Sequence, residues 1–98
     1  MTTDTVLVLS KNEYDLYTME GLWQELQGAP AGSDVTLDFC NVRYMDGASL
    51  GVLVRYAKAL KRKHDSRLHI VHANALIERV LHITCLDRLF DVVRSAPC

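Results

Sequence analysis

No run of apolar residues in this chain approaches the roughly 20 that a membrane-spanning helix needs, so insertion into a bilayer is not expected. Cysteine is scarce. Cys40, Cys85 and Cys98 are odd in number and far apart, which speaks against a disulfide framework and against a Cys-x-x-Cys metal or redox motif. Cys40 ends an apolar run and is expected to pack as a small buried hydrophobe, with Cys98 exposed as the last residue. Charge of one sign is also missing: 11 Lys and Arg against 12 Asp and Glu leave a net −1, so the chain as a whole is not drawn to nucleic acid or anionic membrane. Neither aromatic platforms nor a known reading motif accompany its cations, and no direct nucleic-acid contact is expected. The start, Met-Thr-Thr-Asp-Thr, lacks the basic and apolar regions of a signal peptide, which makes the cytoplasm the expected location.

Metal and cofactor chemistry find little to work with. His69 and His72 are three apart on a strand and point to opposite faces; His82 has no ligand one helical turn on. Gly28, Gly32, Gly47 and Gly51 form no phosphate-cradling pattern, and Trp23 reads as core or rim rather than as a cofactor stack. The expectation is no cofactor and no metal.

What is present is a chain with 49% apolar and 23% charged residues in 98 positions, the composition of one ordinary globular domain spanning 1–98. Thr5 to Leu9 reads as a strand, and Glu13 to Leu16 as a second that would make an N-terminal hairpin with it. Thr18 stands as an N-cap before Leu22, Trp23 and Leu26 at helical spacing, and the Gly28 to Gly32 stretch ends that helix. Val35 to Phe39 is the next strand. The Asp46-Gly47 pair that follows could be a hairpin turn. However, Leu50, Leu53, Val54, Ala57 and Leu60 recur with helical period, so Asp46 is read as the cap of a helix, with its charge at the positive end of the dipole. Arg67 to Val71 gives a further strand and Asn74 caps a third helix through Leu76, Ile77, Val80 and Leu81. Leu86 to Val93 adds a short helix and a last extended segment. Strands alternating with helices predict an α/β fold, a mixed four- to five-stranded sheet covered by three to four helices.

This order, with VTLDFCNVRYMD (35–46), LGVLVRYAKALKRK (50–63) and RLHIVHANALIERVLHITCLDRLFDV (67–92), resembles the STAS domain family of sulphate transporters and anti-sigma factor antagonists. The resemblance spans nearly the whole chain, and it rests on the order and spacing of the three stretches together. It implies a free-standing binding module, not an enzyme. In the sigma-regulating members, a Ser after the strand's Asp is phosphorylated by an anti-sigma factor that is also a serine kinase; unphosphorylated, the antagonist binds that kinase and frees the sigma factor. A phosphate there places nearly two negative charges in the middle of the docking surface.

The chain departs from this pattern where it matters. The phosphoacceptor position is Gly47 and the next is Ala48, neither with a hydroxyl; the nearest hydroxyl is Ser49, a displaced phosphoacceptor or simply a packed first-turn serine. Cys85 likewise stands where the family favours Gly after the third helix. Six of the eleven Lys and Arg residues fall between Arg55 and Arg67. At 100° per residue Val52, Arg55, Ala59 and Arg62 lie opposite the core stripe, so with Asp46, Gly47, Ala48, Ser49 and Leu50 they are the expected partner-binding set. The expected partner is an anti-sigma factor of serine-kinase type, and the expected state is a monomer or weak dimer. The alternatives are a STAS subunit of a cytoplasmic-face lipid-transport ABC complex, or a ligand-sensing STAS domain.

Overall fold

The computed structural model describes residues 4–29 and 34–93; residues 30–32 of the first helix-ending stretch, and Cys98, lie outside it. Strands β1 (Asp4–Val8), β3 (Asp34–Asp38), β5 (Leu68–Val71) and β6 (Asp91–Val92) form one sheet in the order β1-β3-β5-β6. All its neighbours are parallel. Parallel neighbours require crossovers, and α1 (Met19–Leu26), α2 (Gly47–His64) and α3 (Ala75–Ile83) lie in the three connections. A 3-10 turn at Leu86–Arg88 precedes β6.

Strand alternation sets the layers. Val35, Leu37, Leu68 and Ile70 are buried, whereas their neighbours Thr36, Asp38, His69 and Val71 are half-buried. One face of the sheet therefore carries the core, which Leu22 and Leu26 of α1, Leu53, Tyr56 and Leu60 of α2, and Ile77 and Leu81 of α3 complete. On the other face Val6 and Val8 are exposed.

The second strand departs from expectation. β2 is only Glu13–Tyr14 and does not form a hairpin with β1; it pairs in parallel with β4 (Tyr44–Met45), Glu13 facing Tyr44 and Tyr14 facing Met45. The cause lies in Tyr14, which is fully buried with its hydroxyl 2.7 Å from Glu25 Oε2 on α1 and accepting the Lys11 N–H at 3.1 Å. That anchor turns the chain into the domain after β1. Burial pushes the Tyr14 phenol up to about 12. Thr18 precedes α1 as expected, but its hydroxyl accepts from the Asp15 N–H and does not cap the helix.

Cys40 also differs: it is exposed, its N–H donates to Asp38 Oδ1, and its sulfur is in a disulfide. Cys85 is free and exposed, with φ of 60°, the left-handed conformation that explains a glycine preference at this position. Asp65, also left-handed, ends α2 and bonds Lys61 Nζ at 2.6 Å. Among the described residues no helix is long and apolar enough to cross a membrane, and no group of three or more potential ligands could hold a metal ion. The rings of His69, His72 and His82 each meet a carboxylate: Asp91, Asp38 and Asp87 respectively, at 2.9–3.0 Å.

Candidate functional site

Asp46 is the centre of the site. Its backbone is extended, α2 begins at the next residue, and Oδ1 accepts the Ser49 N–H at 2.9 Å, satisfying one of the first-turn donors a helix leaves open. The other oxygen, Oδ2, accepts the Leu16 N–H at 3.0 Å, and the Asp46 N–H donates to the Tyr14 carbonyl. One carboxylate thus starts α2 and pins the loop after β2. The Ser49 N–H foremost holds the Asp46 carboxyl below its ordinary 3.8.

Beyond Asp46, Gly47 is exposed and Ala48 half-buried, whereas Ser49 and Leu50 are buried. A Cβ built on Gly47 or Gly51 meets nothing within 4 Å. Ser49 is 0% exposed and its Oγ makes no hydrogen bond, although it lies near enough to Asp46 to favour the charged carboxylate. The hydroxyl considered above as a displaced phosphoacceptor is therefore out of reach of a kinase in the folded state.

The outer strip of α2 differs from the predicted one chiefly at Val52. Val52 is only 7% exposed, at the edge of a groove it shares with Trp23 and Arg55; Ala59 and Val54 are half-buried, and Val54 packs against the core as its place in the apolar stripe suggested. The reason is α1, which packs along that flank of α2. Trp23 meets Tyr56 edge to face with ring centroids 6.2 Å apart, and the Arg55 guanidinium carbon lies 5.3 Å from the Trp23 ring centroid. The buried face of α2 thus widens toward Val52 and Tyr56. The exposed stripe runs Gly47, Gly51, Arg55, Lys58, Arg62, at spacings of four, four, three and four. It starts bare of side chains and ends cationic. Arg55 and Arg62, both predicted, are on it; Gly51 and Lys58 join them.

The structure adds a region that sequence reading missed. Leu16, Tyr17, Tyr44 and Leu76 are exposed large apolar residues, Tyr17 to 91%. The Leu16 N–H bond to Asp46 brings the first pair to the start of α2, and Tyr44 lies two residues before Asp46. Beside them is an apolar groove of about 110 Å³ lined by Tyr44, Met45, Leu50, Leu76, Ile77 and Val80. Asn74 fixes its walls. Its Oδ1 accepts the Ile77 N–H at 2.8 Å to cap α3, and its Nδ2 donates to the Val42 and Arg43 carbonyls just before β4. The sequence did show the Asn74 cap; it could not show which loop the amide reaches.

The family described as "Mlab, STAS domain" matches residues 3–94. An anti-sigma-B factor antagonist of Staphylococcus epidermidis is 35% identical over 82 residues, 82% of this chain and 75% of the relative. One of Staphylococcus aureus (strain NCTC 8325 / PS 47) is 37% identical over 84 residues with the same coverage. Two crystal structures share the fold. An anti-sigma factor antagonist from Mycobacterium paratuberculosis has a TM-score of 0.77 at 21% identity, covering 94% of this chain and 78% of that one. A protein described as a candidate anti-sigma factor antagonist from Thermotoga maritima has a TM-score of 0.76 at 24% identity, covering 97% and 84%. The sequence words at 35–46, 50–63 and 67–92, the parallel sheet with its three crossover helices and these likenesses agree: the chain belongs to the STAS domain family and is related to the anti-sigma factor antagonists.

Proposed function

We propose that this protein is a cytoplasmic anti-sigma factor antagonist that docks on an anti-sigma factor of serine-kinase type, displaces the sigma factor, and is not switched off by phosphorylation at position 47. The observation that carries the reading is the exposed stripe from Gly47 through Gly51, Arg55 and Lys58 to Arg62, starting at the Asp46 loop. Its glycines let a partner backbone approach closely, and its cations suit a carboxylate-bearing counterpart. A hydroxyl is absent at Gly47 and Ala48, and the one at Ser49 is buried, so phosphate has no accessible acceptor in the first turn of α2. Control then falls to the amount of the protein or to the partner. The whole chain acts as one binding module without catalysis, working as a monomer or weak dimer.

Affinity capture of the tagged protein from its own cells, read by mass spectrometry, tests this, with Arg55→Glu as the control. Recovery of a serine-kinase-like anti-sigma factor that Arg55→Glu fails to recover is the expected outcome. Equal recovery by both proteins would show that the α2 stripe is not the docking face. The hydroxyl-free Gly47-Ala48 pair also favours a second reading, a STAS subunit of a lipid-transport ABC complex, and capture of an ABC ATPase would establish it.

A further inference from the structure

A second cationic feature lies toward the far end of α2. Lys61 follows Asp46 by 15 positions on this helix, about 22 Å along its axis at 1.5 Å per residue. There a pocket of about 230 Å³ is lined by Lys61, Arg67 and Arg88 together with Ala57, Leu68 and Leu89. The three cations are exposed, whereas Ala57 and Leu68 are buried, so positive charge rims an apolar floor. A cleft lined by one sign of charge over a low-dielectric floor concentrates counter-ions of the other sign.

Among the described residues no carboxylate lines this pocket. The carboxylates close to its residues in sequence or by bonding are engaged otherwise. Asp65 bonds Lys61 Nζ at 2.6 Å, Asp34 accepts the Arg67 backbone N–H at 3.2 Å, and Asp87 meets the His82 ring at 3.0 Å. The Arg67 and Arg88 guanidinium groups belong to no ion pair among the described residues, whose pairs use Lys61, His69, His72 and His82. Lys61 has a structural role, since it sits at the negative end of the α2 dipole, but its pair with Asp65 is exposed and weak. The two arginines come from other elements, the start of β5 and the 3-10 turn, and the helix dipole does not explain them. Their backbone is fixed: the Val35 N–H donates to the Arg67 carbonyl, and the Arg88 N–H to that of Cys85.

Two guanidinium forks beside an ammonium suit a dianion with several acceptor oxygens, which describes a phosphate group better than a single carboxylate. A cavity of about 150 Å³ takes a benzene ring, so this one has room for a body of that size and a phosphate. We propose that the pocket binds a phosphomonoester on a ring-sized apolar body, with Arg67, Arg88 and Lys61 on the phosphate and Ala57, Leu68 and Leu89 under the body. The site does not rest on the docking reading above, whose loop is at the other end of α2.

The test is methyl NMR of the full chain, labelled at Leu and titrated with phenyl phosphate, inorganic phosphate and benzoate. Phenyl phosphate should shift Leu68 and Leu89 saturably, and the other two should bind more weakly. Arg67→Glu and Arg88→Glu, both at exposed positions, should each weaken binding about tenfold or more. Arg79→Glu, an exposed charge reversal outside the pocket, should bind as the wild type does. No saturable shift at Leu68 and Leu89 would overturn the proposal. So would equal binding of inorganic phosphate, which would leave the apolar floor without a part, or of benzoate, which would remove the preference for phosphate. An equal loss in Arg79→Glu would reduce the effect to net charge and also overturn it. Phosphatidylcholine vesicles containing phosphatidic acid, which bears the same group, separate the two sources. Sedimentation of the wild type but not of Arg88→Glu with them, competed by phenyl phosphate, would assign the ester to a lipid. Binding of phenyl phosphate without sedimentation would assign it to a soluble metabolite.

Discussion

Replacing Ser49 by Ala should make this protein more stable. The hydroxyl is fully buried and makes no hydrogen bond of good geometry, its polar neighbour being the Asp46 carboxylate, so folding strips it of water and returns little. A buried polar group left in that state costs about 1–3 kcal/mol. Alanine keeps the Cβ and the backbone N–H that donates to Asp46, and so preserves the cap. It also gains up to about 0.5 kcal/mol in helix propensity over serine. Against this, the missing oxygen leaves a void too small to cost more than a few tenths of a kcal/mol, at about 24 cal/mol per Å³. The net expectation is a gain of about 1–3 kcal/mol, which in a domain of this size raises Tm by roughly 5–15 °C. Urea denaturation with an unchanged m-value, supported by calorimetry, measures it. A loss of about 1 kcal/mol or more would refute the reasoning, since it would mean that the hydroxyl is satisfied in solution by a bridging water or by the Asp46 carboxylate. The same burial predicts that Ser49→Asp, with a charge in that position, fails to fold or is severely destabilised.

Tyr14→Phe should cost about 1.5–3 kcal/mol, the range for hydrogen bonds to a charged group, because Glu25 Oε2 and the Lys11 N–H both lose their partner while Glu25 Oε1 keeps the Ser10 N–H. Since the folded Tyr14 phenol titrates near 12 against an ordinary 10.0, wild-type stability should fall as pH rises through that window, and the phenylalanine variant should lack this component. For Asp46 the folded value is depressed, so its contribution is present above the ordinary 3.8 and is lost as pH falls below it. Asp46→Ala should therefore be less stable at neutral pH and show a flatter acid limb, as read by urea midpoints between pH 2 and 6. Gly47→Ser should fold normally, since a side chain there enters open space, and its stability should stay within about 0.5 kcal/mol of wild type.

The parts of the fold visible in the sequence are those that local chemistry decides. Asp46 and Asn74 both cap helices as their side chains suggested, accepting from Ser49 and Ile77 three residues on. The β-branched runs around Val35 and Leu68 became parallel strands, and Cys85 took the left-handed conformation of a glycine position. What escaped the sequence depends on long-range packing. β2 and β4 are two residues each, too short to signal a partner, and their pairing follows from where Tyr14 finds Glu25. The phase of α2 was read from its apolar residues alone. In the structure Trp23 of α1 packs edge to face on Tyr56 and widens the buried face of α2, and the exposed stripe takes in Gly51 and Lys58 beside Arg55 and Arg62. Of the two readings of Ser49, displaced phosphoacceptor or packed first-turn serine, its complete burial agrees with the second. Cys40 ends an apolar run and reads as buried, yet β3 ends at Asp38, whose Oδ1 accepts the Cys40 N–H as the chain turns outward. The Tyr44–Leu76 groove joins segments 32 residues apart and leaves no local pattern.

The most direct test of the account is to incubate the captured anti-sigma factor and ATP with the wild-type protein and with Gly47→Ser, following phosphorylation by mass spectrometry and complex lifetime by surface plasmon resonance. The account predicts that the wild type acquires no phosphate in the first turn of α2 and stays bound with or without ATP, whereas Gly47→Ser is phosphorylated at position 47 and released. Phosphorylation of the wild type at Ser49 with release, or a Gly47→Ser protein that is phosphorylated and remains bound, would contradict it.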